Sequence, residues 1–104
     1  MIKLENGERL YHIINSGCDD ETVGLAKIKD EHFPAFAEII RNLNKNSTYS
    51  CMPTITVCEI KPEFLCEATD ADSKSSRMYL DGKQYVIKDY ISWWKFRETV
   101  EAIV

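Results

Sequence analysis

Asp81-Gly82 stands between two stretches of alternating apolar side chains, Met78 and Leu80 before it and Tyr85 and Ile87 after it. An Asp-Gly pair accepts the left-handed backbone of a two-residue hairpin turn, and a turn of that length leaves no freedom of register. Met78 then pairs with Tyr85 and Leu80 with Lys83, and Met78, Leu80, Tyr85 and Ile87 share one face that must be covered by another layer.

Asn6-Gly7 is a second turn signal, between Ile2 and Leu4 on one side and Leu10, Tyr11, Ile13 and Ile14 on the other. A two-residue turn there sets Glu5 against Glu8. A three-residue loop with Gly7 as bulge avoids that like-charge pair, matching Leu4 with Glu8 and Ile2 with Leu10. It also gathers Ile2, Leu4, Leu10 and Ile14 on one face, with His12 among them. After the polar turn at 15–20, Thr22 to Ile28 has the composition of a third strand covered on both faces, with Gly24 expected at a bulge or close approach.

Asp30-Glu31 opens a helix, with Pro34 in its first turn and an apolar stripe at Phe33, Phe36, Ile40 and Leu43. Thr54 to Ile60 is β-branched and nearly continuous, the pattern of the most central strand. Pro62 interrupts it before Phe64 to Ala68 continues. Thr69 to Ser76 is a polar loop, expected to be the most mobile, and Asp89 caps a final helix. On that helix Trp93, Phe96, Val100, Ile103 and Val104 fall on one side, while Ile91 and Trp94 point elsewhere.

The fold expected is α+β, in the order β-β-β-α-β-β-β-α. It consists of a mostly antiparallel sheet of roughly five to seven strands with two amphipathic helices packed on it. A chain of 104 residues that is 44% hydrophobic and 29% charged is read as one domain over 1–104 with one core.

Charge and motif content narrow the function classes. With 13 basic against 17 acidic side chains the formal charge is −4, which opposes binding to a phosphate backbone, so direct nucleic-acid binding is not expected. No apolar run approaches the roughly 18 residues that cross a bilayer, and no apolar leader follows Met1, so a cytoplasmic protein without membrane contact is expected. Cys18, Cys51, Cys58 and Cys66 are read as free thiols. Their spacing lacks the close pair of a zinc knuckle, and Cys58 and Cys66 fall in apolar strands as small hydrophobes. Asp70-Ala-Asp72 opens like a calcium loop, but Lys74 and Ser75 stand where a ligand and a glycine are needed. No phosphate-binding glycine loop, nucleophile elbow or zinc-protease motif is present, and no cofactor or metal is expected.

Three function classes follow from these residues. The first is a non-enzymatic protein-binding module, such as a small accessory or inhibitor protein encoded by a phage or other mobile element and acting on a host complex. Its contact residues are Ile91, Trp94, Lys95 and Glu98 on the last helix, Asp19, Asp20 and Glu21 in the acidic turn, and Asp70 and Asp72 in the polar loop. A homodimer through the Trp94 face belongs to the same reading. The second is a binder of nucleotides or other small molecules using Arg77, Tyr79, Lys83 and Tyr85. The third is a small enzyme built on His12 and a carboxylate. It ranks last because a buried sheet-face histidine is the commoner role, while His32 in a helix first turn is expected to be solvated.

Overall fold

The computed structural model describes residues 2–16, 21–45, 54–74, 77–89, 91–93 and 95, without the side chains of 15, 16, 21–23 and 54. The elements are β1 (Glu8–Ser16), β2 (Glu21–Lys29), α1 (Phe33–Lys45), β3 (Thr54–Glu59), a 3-10 turn (Pro62–Phe64), β4 (Leu65–Glu67), β5 (Met78–Leu80) and β6 (Lys83–Ile87). Residues 91–93 and 95 are helical. Among the described residues the architecture is α+β, with one main helix and two three-stranded antiparallel sheets, ordered β2-β1-β3 and β4-β6-β5. The expectation of one larger sheet is corrected to two, and of the expected second helix the described residues are 91–93 and 95. The continuation of the last helix past Lys95 lies outside the described residues.

β1 is the central strand of the first sheet and is buried on both faces. Leu10 and His12 face the second sheet, and Tyr11 faces α1. Between the sheets, Ile2, Leu10, Leu25, Ile60, Leu65, Met78, Leu80, Tyr85 and Trp93 form the larger core. On the other side of the first sheet, Tyr11, Val57 and Ile40 are buried with Ile13, Ile28, Phe33, Phe36 and Ile55 packed around them. Tyr11 stacks on Phe33 at 4.9 Å between ring centroids. Burial pushes its hydroxyl above the ordinary tyrosine value, against the pull of Arg9.

The Asp81-Gly82 hairpin has the expected register, Met78 with Tyr85 and Leu80 with Lys83. Asp81 has φ 49° and Gly82 φ 79°, the two left-handed residues of that turn. Lys27 reaches Asp81 at 3.1 Å, tying β2 to the turn beside β5.

Asn6-Gly7 behaves differently. Glu8 donates its N–H to the Glu5 carbonyl at 3.0 Å, closing a turn with Gly7 at φ 79°, but residues 2–5 are not a strand. The Gly7 carbonyl instead accepts from Asp30 N–H at 2.7 Å. β1 pairs with β2 from Glu8 onward and with β3 from Tyr11 onward, and the Leu10 carbonyl, expected opposite Ile2, accepts from Ile60 N–H at 3.0 Å instead. Ile2 is buried nonetheless, packed as irregular chain.

Three further expectations are corrected. β3 lies at the edge of its sheet, and its continuous apolar pattern reflects cover on both faces, with Val57 toward α1 and Cys58 toward the second sheet. Gly24 sits in unbroken register opposite Ile13, so no bulge forms there. Cys66 is exposed, because β4 turns Leu65 inward and Cys66 outward.

Candidate functional site

Two surfaces carry unusual side-chain arrangements, the outer flank of α1 and the outward face of the β5–β6 hairpin.

On α1 the buried residues are Ala37 and Ile40, in line with half-buried Phe33 and Asn44 at spacings of three and four. Asn44 fixes this orientation. Its amide nitrogen donates to the Ile55 carbonyl and its amide oxygen accepts from Ile55 N–H, each at 2.8 Å. With Asn44 turned toward β3, the next position rotates outward by roughly 100°. Leu43 is therefore 53% exposed instead of completing the core stripe, and Ile39 beside it is 59% exposed. Glu38, Arg41 and Lys45 fall on the opposite flank by helical geometry, Glu38 and Arg41 within 3.6 Å of each other. The helix thus has three strips: a core line, an uncharged apolar flank carrying Ile39 and Leu43 with Phe36 at its inner border, and a charged flank. Sequence reading missed the apolar flank. The signal for it was the Ala37–Asn44 spacing of seven, which marks the core line better than Leu43 does.

On β5–β6, alternation turns Tyr79 and Gln84 outward while Tyr85 is buried in the core. Tyr85, counted as a ligand contact, is thus placed in the core. Arg77, also counted as a ligand contact, is engaged within the fold. It donates to the Thr69 and Asp72 carbonyls at 2.9 and 3.0 Å and to the Gln84 side-chain oxygen at 2.7 Å. Gln84 passes the connection on to the Tyr79 hydroxyl at 3.1 Å. Lys83 lies 3.5 Å from Glu67. Beside them is an open depression of about 430 Å³ lined by Glu67, Ala68, Gly82, Lys83 and Gln84.

The described part of the polar loop, 69–74, is a structured turn. The Asp72 carboxylate accepts from Thr69 N–H at 2.7 Å and from the Thr69 hydroxyl at 3.2 Å, so that carboxylate is used inside the loop, while Asp70 is exposed. Arg77 pins the same segment through its carbonyls.

At the start of the last helical segment, Asp89 accepts from Ser92 N–H at 3.0 Å and from the Ser92 hydroxyl at 2.7 Å. Those two bonds hold its carboxyl below the ordinary value. Trp93 is buried, whereas Ile91 is 70% exposed and Lys95 is exposed. Trp94 and Glu98, and Asp19 and Asp20 of the acidic turn, lie outside the described residues. Glu21 opens β2, with its side chain outside them.

His12 is buried and meets the Trp93 ring edge-on at 5.5 Å. Across the ladders its neighbours are Leu25 and Cys58 rather than a carboxylate. His32 is exposed, 3.6 Å from Glu31. Among the described residues no group of three or more His, Cys, Asp or Glu is placed to hold a metal ion. None of the described helices is long and apolar enough to cross a membrane. The chain matches no protein-family model, no curated protein and no solved structure.

Proposed function

We propose that this chain is a non-enzymatic protein-binding module that engages a protein partner through the uncharged flank of α1. The observation supporting this reading is the exposure of Ile39 and Leu43 together, four residues apart on one helix, with the charges of that helix kept to its other flank. Apolar side chains set side by side on a rigid helix form a surface that a partner can desolvate without burying a charge. Ile91, still more exposed, adds a separate apolar point on the C-terminal segment. The small-ligand reading has less support, because the two terminal nitrogens of Arg77 already bond main-chain and Gln84 acceptors and Tyr85 is a core residue.

The test compares affinity capture from a lysate of the cells that encode the chain, using wild type, the Ile39→Asp/Leu43→Asp variant and Ile91→Asp. Thermal melts establish that each variant is folded. The double variant is expected to lose partners that the wild type retains and that bind again when purified. Unchanged capture by a folded double variant would reject the α1 surface, and selective loss with Ile91→Asp would move the contact to the C-terminal segment.

A further inference from the structure

We draw no further inference here: the strongest candidate, the apolar flank of α1 formed by Phe36, Ile39 and Leu43, belongs to the surface already described, and nothing in the structure shows what covers it.

Discussion

Asn44, on the last turn of α1, bonds both main-chain groups of Ile55 on the edge strand β3 through its carboxamide, at 2.8 Å each. The side chain takes the place that a neighbouring strand residue would occupy, donating to one carbonyl and accepting from one N–H. It closes that point of the sheet edge and sets the rotation of the helix about its own axis. Asn44→Ala is expected to cost about 1–2 kcal/mol, the net worth of two part-buried hydrogen bonds. Asn44→Asp should cost at least as much, since its carboxylate still accepts from Ile55 N–H but is set against the Ile55 carbonyl. Urea denaturation at neutral pH checks both, and an aspartate variant as stable as wild type would contradict the bond assignment.

Arg77 joins the polar loop to the hairpin through three acceptors from a single planar group. Arg77→Met is expected to destabilise by roughly 1.5–3 kcal/mol, because bonds from a charged donor are lost and the Thr69 and Asp72 carbonyls each lose one of them. Arg77→Lys should recover less than half of that, since a lone ammonium does not reproduce the fork that spans Thr69, Asp72 and Gln84. The Asp72 amide, bonded to the Thr69 carbonyl at 3.0 Å, reports the same event locally and should exchange with solvent faster in both variants. Full rescue by lysine would show that charge alone, not the fork, holds the loop.

These two side chains mark where the sequence stopped being readable. The Asp81-Gly82 hairpin was legible because its register is settled within ten residues, by the turn and by alternation. The β1–β2 composition and the burial of Trp93 were legible for similar reasons of local period. Asn6-Gly7 misled because the use of a turn depends on distant partners: the Gly7 carbonyl accepts from Asp30 N–H and the Leu10 carbonyl from Ile60 N–H, contacts that no local pattern contains. The position of β3 at an edge was hidden because cover by α1 on one face and the second sheet on the other gives the same apolar run as a central strand. The exposed flank of α1 depends on a contact eleven residues away in sequence, Asn44 with Ile55, which no helical wheel contains. Arg77 looked like a ligand contact because composition does not distinguish an arginine that faces solvent from one whose terminal nitrogens bond the neighbouring loop and hairpin.

Asp89 supplies a pH-dependent step. Hydrogen bonds from Ser92 stabilise its ionised form and lower its pKa from the ordinary 3.8. The folded state therefore gains from this carboxylate fully above that value and loses the gain as pH falls through the lowered one. Amide exchange or chemical shift of Ser92 across an acid titration should follow this transition. Asp89→Asn should preserve the cap without the transition, because asparagine accepts from the same N–H but does not titrate in this range. Asp89→Ala should lose both. An asparagine variant with the wild-type acid profile would place the titrating group elsewhere.

The contact between His12 and Trp93 tests how the C-terminal segment is held to the core. The rings meet at 69° with centroids 5.5 Å apart, the edge-to-face arrangement in which ring quadrupoles attract beyond simple burial. Trp93→Ala is expected to cost about 3–5 kcal/mol, and His12→Ala about 2 kcal/mol from the space it leaves. The double variant should be less damaging than the sum of the single ones, by roughly 0.5–1.5 kcal/mol, since the pair contact is lost only once. A double-mutant cycle in denaturant measures that difference directly. Additive costs would mean that the imidazole fills space beside Trp93 without anchoring it.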